Sequence, residues 1–394
     1  MQDPGSASTA QPPIGRPLRI TIVQGPFLPV PPLLGGAVER TMDSLGRAWA
    51  AAGHRVVHIS RRYPGLPDRE ERAGVTHIRV ASQDAPAGRL RFRWRELRYC
   101  LRALRVLPEA DILISNSVIF PVLARRPSRG KLVVRVERPP KGQLRFYRHA
   151  AAFHTVSEDM RRRIVAEAPW AAERVAMVGS PLSGEMMPIG AQGLDLPREP
   201  LVLYAGRLHP EKGLELLIGA FLRLAVRHPA WRLEIIGPHA IEAGGGGDAY
   251  LARLKQLAAS LGDRIHFAGP IFDHAMLAAR LRTAEIFAYP SVAESGEALP
   301  LAPLEAMGQG AVPVVSNLSC FSDYILTGKN GITFNQKALN PSEDLDLAIE
   351  RAIARESKTK LRKNALMTAC NYDIGFISVR HVKEFEKLLA EESN

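Results

Sequence analysis

The sequence predicts an α/β protein built from two Rossmann-like halves with a cleft between them. Three observations carry that expectation. Strand and helix patterns alternate from the first apolar run onward, the series starts again near residue 201, and a stretch rich in proline and glycine separates the two series. No self-similarity at solenoid or propeller period competes with it.

The first half opens with a strand over residues 18–23, followed by a proline-rich loop that ends Leu34-Gly35-Gly36. Residues 37–52 read as a helix, with Val38, Met42, Leu45 and Trp49 on one face. Gly53-His54 stops it, and residues 55–59 form the next strand. Short apolar runs at 75–80, 111–115, 131–136 and 152–156 continue the strands. The domain junction falls within 175–200. The second series has strands at 201–204, 231–236, 265–267, 286–289 and 312–315. Helical patterns cover 213–227, 249–261, 345–354 and 374–389, a glycine-rich loop spans 237–247, and 304–308 opens a further helix. The expected division is a disordered tail at 1–17, a first domain at 18–182, a linker at 183–199 and a second domain at 200–372. A final helix at 373–394 is expected to pack back on the first domain.

The 394 residues suffice for two domains, and 46% hydrophobic residues suffice for a core in each. Cys100, Cys320 and Cys370 lie far apart and outside any CxxC or Cys/His pattern. That speaks against a disulfide framework or structural zinc and suits a reducing cytoplasm. No apolar run is long enough to span a bilayer, and the first 17 residues lack the pattern of a signal peptide. The net charge is +12, but residues 1–180 carry 30 Lys and Arg against 15 Asp and Glu, whereas the remainder carries 22 against 25. A basic field confined to one half attracts an acidic surface: anionic lipid, lipid diphosphate, acidic polysaccharide or nucleic acid.

Two segments of the second half carry chemistry. Tyr204-Ala-Gly-Arg-Leu-His-Pro-Glu-Lys-Gly213 sets Arg207 and Lys212 around a glycine turn at a strand end, where cationic side chains can converge on phosphate oxygens. Glu297-Ala-Leu-Pro-Leu-Ala-Pro-Leu-Glu305 offers two carboxylates, which bind sugar hydroxyls. Together they read as a site for a nucleotide-diphosphate sugar. Asp344-Leu-Asp346 has DxD spacing, but it lies in an acidic stretch expected to be exposed, and is read as coincidence. No metal or other cofactor is implied.

Gly206-Arg207…Glu211-Lys212-Gly213, Ile235-Ile-Gly237-Pro, Phe267-Ala-Gly269-Pro-Ile271, Tyr289-Pro-Ser291, Glu297-x7-Glu305-Ala-Met and Gly310-x-x-Pro313-Val-Val follow one another in order over about 120 residues. This ordered set resembles the retaining glycosyltransferases of family 4 (glycosyl transferases group 1), which have the two-domain GT-B fold. The resemblance implies that Arg207 and Lys212 hold the donor diphosphate, that Glu297 binds the transferred sugar and that Glu305 binds the ribose. Glu305 is also expected at a helix start, where a carboxylate would be favoured as a cap. Gly206, Gly237 and Ile271 would lie near the nucleotide, Ile271 beside the base or, equally, in the core. The amides of Ala298, Leu299 and Leu301 would approach sugar and phosphate. Many members carry Phe-Gly where this chain has Leu299-Pro300, and the proline removes one N–H donor. Glu294 competes for the first-glutamate role at the wrong spacing.

In the first half, Gly35-Gly36 before Ala37-Val-Glu-Arg40 resembles the family's glycine loop at a helix N-terminus, which suits a phosphate. Ser157 in Thr155-Val-Ser-Glu158 resembles the strand-end segment and is also a good helix N-cap. The family's sugar-orienting histidine is replaced by Glu137, so Glu137 or Arg138 would take the acceptor side. His54, His58, His149 and His154 are expected to be structural. Arg91, Arg95, Arg98, Arg102 and Arg105 recur along one helical face, with Trp94, Leu97, Leu101 and Leu104 on another. This reads either as a solvated face on a core-packed helix or as a contact, through Arg91, Trp94, Arg95, Arg98 and Arg102, with an anionic membrane surface.

The expected activity is transfer of a hexosyl group, with retention, from a nucleotide-diphosphate sugar to a glycan or polyprenyl-diphosphate-linked acceptor in polysaccharide or glycan assembly. The protein would be cytoplasmic, or peripheral on the inner face of the membrane, and no nucleic acid partner is expected. A nucleotide-sugar epimerase or phosphorylase on the same fold would also use the donor site, and an epimerase would need no acceptor. A basic binding module for membrane or nucleic acid, with an inactive donor site, would give no melting shift with nucleoside diphosphates.

Overall fold

A computed structural model describes residues 16–86, 88–126, 129–294 and 297–391. Residues 1–15 of the expected tail lie outside the described residues. The chain forms two compact units. The first comprises residues up to 156, 160–181 and 374 onward; the second comprises 157–159 and 182–373.

The first unit is an eight-stranded sheet. In chain order its strands are β1 (Arg19–Val23), β2 (Arg55–Arg61), β3 (Arg69–Arg72), β4 (Val75–Val80), β5 (Ile112–Ser115), β6 (Lys131–Val136), β7 (Ala152–Thr155) and β8 (Val175–Met177). Their spatial order is β3-β4-β2-β1-β5-β6-β7-β8, parallel except for β3. Helices α1 (Ala37–Ala51), α2 (Arg89–Arg105), α3 (Phe120–Leu123) and α4 (Glu158–Glu167) fill the connections. β1 pairs with β2 on one side and β5 on the other, so the direction of winding reverses between β1 and β5. β1, β2 and β5 are buried on both faces along nearly their whole length, as the central strands of a parallel sheet are.

Two departures from expectation have local causes. β3 reads Arg-Glu-Glu-Arg and shows no apolar period. It is an edge strand paired antiparallel to β4 through the Ala73-Gly74 turn, and edge strands are commonly charged. β8 lies inside the expected junction but pairs with β7 and so belongs to the first sheet.

The second unit is a six-stranded parallel sheet: β9 (Glu199–Ala205), β10 (Arg232–Ile236), β11 (Ile265–Gly269), β12 (Ala284–Tyr289), β13 (Val312–Ser316) and β14 (Ile332–Phe334), in the order β11-β10-β9-β12-β13-β14. Its helices are α5 (Leu214–Arg227), α6 (Gly247–Ala258), α7 (His274–Thr283), α8 (Leu301–Gly308), α9 (Pro341–Ile353) and α10 (Arg355–Cys370). Here the reversal falls between β9 and β12. α7, α10 and β14 escaped the sequence reading. Asp273 caps α7 through the amides of Ala275 and Met276, a signal visible in the sequence.

α11 (Ile374–Ala390) belongs to the first unit. The Trp49 indole donates to the Ser378 carbonyl at 3.3 Å, and its ring meets His381 and Phe385 edge-on. Among the described residues no helix is long and apolar enough to cross a membrane.

Candidate active site

The site of the second unit lies at the carboxyl ends of β9 and β12, where its sheet changes direction and where open α/β sheets bind ligands. After β9 the chain turns through Gly206 and Arg207 to Gly213, the left-handed residue (φ 67°) that opens α5. A Cβ on Gly213 would come within 2.1 Å of the Pro290 carbonyl oxygen, so only glycine lets the loops after β9 and β12 touch. Gly237, at the end of β10, is equally constrained, since a Cβ there would sit 1.8 Å from the Gly206 carbonyl oxygen. The two loops are laced together. Val292 N–H donates to the Glu211 carbonyl at 2.8 Å, and the Ser291 hydroxyl oxygen lies 3.2 Å from the same carbonyl oxygen.

Those contacts bring Lys212 and Glu297 face to face. Lys212, only 5% exposed, donates through Nζ to Glu297 Oε1 in a short charged hydrogen bond. The Tyr289 and Ser291 hydroxyls donate to the same oxygen, each at 3.1 Å. Among the described residues no donor reaches Glu297 Oε2. Three donors on one oxygen fix the carboxylate and leave the other oxygen for a ligand hydroxyl. Burial, and then the neighbouring Glu297 carboxylate, push the Tyr289 phenol well above its ordinary range, so it remains a donor. Glu211 Oε1 lies 3.7 Å from Lys212 Nζ and accepts from Arg207 Nη2 at 2.7 Å, while Arg207 Nη1 reaches the Gly244 carbonyl. Arg207 and Lys212 therefore share Glu211, and Arg207 stays half-exposed.

Glu305 corrects one expectation. α8 starts at Leu301, so Glu305 stands in its second turn, buried to 8% exposure, and is not a cap at a helix start. Ala298, Leu299 and Leu301 are half-buried at the amino end of α8, where the Tyr324 hydroxyl holds the Pro300 carbonyl at 2.9 Å. Ile271 packs partly against the core. Asp346 of the DxD pattern is buried, paired with Arg227 at 2.7 Å, and not exposed as expected. Glu294 forms a surface ion pair with Lys337. Among the described residues no cluster of three or more His, Cys, Asp or Glu could hold a metal.

In the first unit, Gly35 and Gly36 have positive φ, and Gly36 directly precedes α1. Glu137 follows β6 and is held by Arg135, a buried guanidinium that also bonds His381 Nε2 (3.1 Å) and Ser180 Oγ (3.2 Å). Arg138 is exposed. Ser157 is fully buried and groups with the second unit, in which the neighbouring Glu158 amide donates to Asp323 at 2.8 Å. His54 accepts from the Leu18 amide, His149 bonds the Pro121 carbonyl, and His58 and His154 are buried. On α2 the buried face is Glu96, Tyr99, Cys100 and Ala103. Trp94 (61% exposed), Leu90 (88%) and Leu101 point outward instead of into the core. Arg95 and Arg102 are half-buried, bonded to the Asp84 and Ala81 carbonyls, whereas Arg91 and Arg98 are exposed.

The sequence reading assigned no role to Tyr289, Ser291 and Glu211. Their positions at strand ends beside the glycine turn were the available signal, but that they converge on Glu297 and Lys212 is a tertiary fact.

Known proteins resemble the chain in both of its halves. Residues 191–367 match the family model for glycosyl transferases group 1, and residues 36–181 match that for a glycosyl transferase 4-like domain. The chain belongs to the glycosyl transferases group 1, the family-4 glycosyltransferases of GT-B fold. It is 31% identical over 165 residues to the lipopolysaccharide core biosynthesis mannosyltransferase LpcC of Rhizobium leguminosarum bv. viciae, covering 42% of this chain. It is 28% identical over 190 residues to the phosphatidyl-myo-inositol mannosyltransferase of Mycolicibacterium smegmatis, covering 47% of this chain. In each case the match spans 44% of the relative's length. The structure of Anabaena Alr3699/HepE in complex with UDP and glucose superposes with a TM-score of 0.71 at 16% identity, over 94% of this chain and 100% of that one.

Proposed function

We propose that the chain is a retaining glycosyltransferase that moves a hexosyl group from a nucleotide-diphosphate sugar to a hydroxyl of a glycan or lipid-linked acceptor. One observation carries the reading: Lys212, Tyr289 and Ser291 converge on a single oxygen of Glu297, beside Arg207, where the second sheet changes direction. Glu297 Oε2 takes a hydroxyl of the transferred sugar and fixes its orientation. Lys212 and Arg207 face the diphosphate, Glu305 the ribose, and Gly206, Gly237 and Ile271 the nucleoside. The amides of Ala298, Leu299 and Leu301 approach sugar and phosphate, and in the first unit the Gly35-Gly36 loop at the start of α1 offers backbone amides that suit a phosphate. Glu137 and Arg138 serve the acceptor side; Ser157, being fully buried, is left out.

Transfer breaks the bond between the anomeric carbon and the phosphate oxygen and forms one to the acceptor oxygen on the same face. The departing phosphate takes the acceptor proton, and Arg207 and Lys212 stabilise the charge developing on it. They do so in place of a cation, so turnover is expected to survive a chelator.

The names of the two relatives make mannosyl donors the first to try, and acceptors of lipopolysaccharide-core or phosphatidylinositol type follow from the same names. The test is a panel of UDP- and GDP-sugars scored by donor turnover at low salt. Wild type should turn over at least one donor. Glu297→Ala and Lys212→Ala should each lose about 100-fold or more while staying folded at the assay temperature, with a lowered melting point because each leaves the other charge buried and unpaired. Undiminished turnover in either variant sinks the assignment.

A second reading rests on α2. Its outward Leu90, Trp94 and Leu101, flanked by exposed Arg91 and Arg98, suit an anionic lipid surface, which would hold the enzyme at the inner face of the membrane beside a lipid-linked acceptor.

A further inference from the structure

α2 and the segment after β4 shape a pocket that no step of sugar transfer uses. β4 ends at Val80, and residues 81–84 then run along α2 against its direction. Arg102 Nη1 donates to the Ala81 carbonyl and Arg95 Nη1 to the Asp84 carbonyl, each at 2.7 Å. Beside these bonds lies a half-open cavity of about 130 Å³, lined by Ala81, Ser82, Gln83, Arg95, Arg98 and Arg102. At ~30 Å³ per water molecule it has room for a tetrahedral oxyanion. Its three arginines stand on one face of α2. β4 is flanked by β3 and β2, so the cavity does not lie at the reversal of the sheet, between β1 and β5.

A structural role accounts for only part of this cluster. Arg95 and Arg102 each spend one nitrogen on a carbonyl, and those bonds hold the segment to the helix. Arg98 makes no such bond among the described residues, yet it lines the same cavity. Nor does any described carboxylate pair with the three. Asp84 turns its own to Arg61 at 2.8 Å, and Glu96 takes Arg93 at 2.6 Å. Arg95 and Arg102 are half-buried, so repulsion among the three charges is screened less than on an open surface. A guanidinium has five N–H groups, so each arginine keeps donors unspent, and Gln83 adds a side-chain amide. Ser82 has no proton to add, because its hydroxyl donates to the Pro26 carbonyl at 2.7 Å.

We propose that Arg95, Arg98 and Arg102, with the segment after β4, form a binding site for a terminal phosphate group, a phosphomonoester carried by a lipid headgroup or by a small soluble molecule. Unspent donors and uncompensated positive charge select an anion. A phosphomonoester brings about 1.5 to 2 negative charges at neutral pH and three acceptor oxygens, one for each guanidinium fork. A phosphodiester or a carboxylate brings a single charge and fewer free oxygens. The open side of the cavity leaves the rest of the ligand outside, and the outward Trp94 and Leu101 of the same helix suit a lipid source. The site sharpens the lipid-surface reading of α2 without requiring it, since a soluble phosphomonoester would fill it equally. It stands independently of the donor-site reading.

The test titrates the full chain calorimetrically with glycerol 1-phosphate at fixed ionic strength. In parallel the chain is sedimented with phosphatidylcholine vesicles that carry either phosphatidate or phosphatidylglycerol at equal surface charge. Wild type should bind glycerol 1-phosphate at about millimolar concentration or below, which assigns a soluble ligand, or prefer phosphatidate by about five-fold or more, which assigns a headgroup. Arg98→Gln breaks no hydrogen bond of the described fold. It should weaken the titration by about ten-fold or more and erase the phosphatidate preference. Arg98→Lys, which keeps the charge but not the planar fork, should fall between Arg98→Gln and wild type. Arg91→Gln, on the same helix but outside the lining, and Lys212→Ala, in the second unit, should both keep the phosphate response. If wild type shows neither response, or if Arg98→Gln behaves as wild type does, the proposal falls. If Lys212→Ala loses the response while Arg98→Gln keeps it, the phosphate occupies the donor side; this site falls and the donor-site reading gains. A phosphate response as described, with no nucleotide sugar turned over, would sink the donor-site reading alone.

Discussion

Glu297 is fixed by three donors on one oxygen, and each contributes differently. Lys212 brings charge, whereas Tyr289 and Ser291 bring direction. Tyr289→Phe removes one neutral hydrogen bond from a carboxylate that keeps two other donors. It should lower kcat/KM by roughly 2- to 10-fold, the equivalent of about 0.5–1.5 kcal/mol, with steady-state kinetics as the check. Loss as large as that of Lys212→Ala would mean that the phenol touches substrate directly. Gly213→Ala acts through the backbone. Its Cβ would drive against the Pro290 carbonyl from a left-handed φ, so a melting experiment should register a loss of about 1–3 kcal/mol or more.

Among the elements, α2 separates two uses of arginine that look alike in sequence. Arg95 and Arg102 bind the carbonyls of the loop after β4 and hold the helix to its sheet. Arg91 and Arg98 stand in solvent beside Trp94. The double variant Arg91→Glu with Arg98→Glu should therefore weaken sedimentation with vesicles rich in anionic lipid, by about 1 kcal/mol or more per residue. Its melting temperature should hardly move, because exposed substitutions away from special features cost less than about 0.5 kcal/mol. Vesicle binding that survives this double change would remove α2 as the membrane contact. The heptad-like recurrence of arginine was plain in the sequence. Which of the arginines pointed outward was not, because α2 buries the face that carries Glu96 and Tyr99.

Taken together, the units differ in how they should respond to acid. His58 and His154, fully buried in the first, are held down to about 3 by burial first and by neighbouring cations second, and His381 lies well below its ordinary value for the same reasons. These rings stay neutral in the fold but charge in the unfolded chain near pH 6.5. The folded state then binds fewer protons, and stability falls as pH drops from about 6.5 toward 3, by up to about 1.4 kcal/mol per pH unit for each ring. Thermal melts at pH 7.5 and 5.5 should show a large downward shift of the first unit. Replacing His154 with Phe, beside the Phe385 ring on which it stacks, should shrink that shift. An acid sensitivity equal in wild type and variant would contradict the assignment.

Local pattern set the parallel strands, the break between the two series, and the ordered glycine, lysine and glutamate signatures of the donor side, because these depend on side-chain period and on the steric demands of single turns. β3 and β8 were hidden because an edge strand needs no apolar alternation and a three-residue strand shows none. Tyr289 and Ser291 beside Glu297, and the outward Trp94, came only from the packed chain. Each depends on which strand ends become neighbours and which helix face is covered. In a doubly wound sheet that is decided by the order of the strands in space, a property that no stretch of a few residues carries.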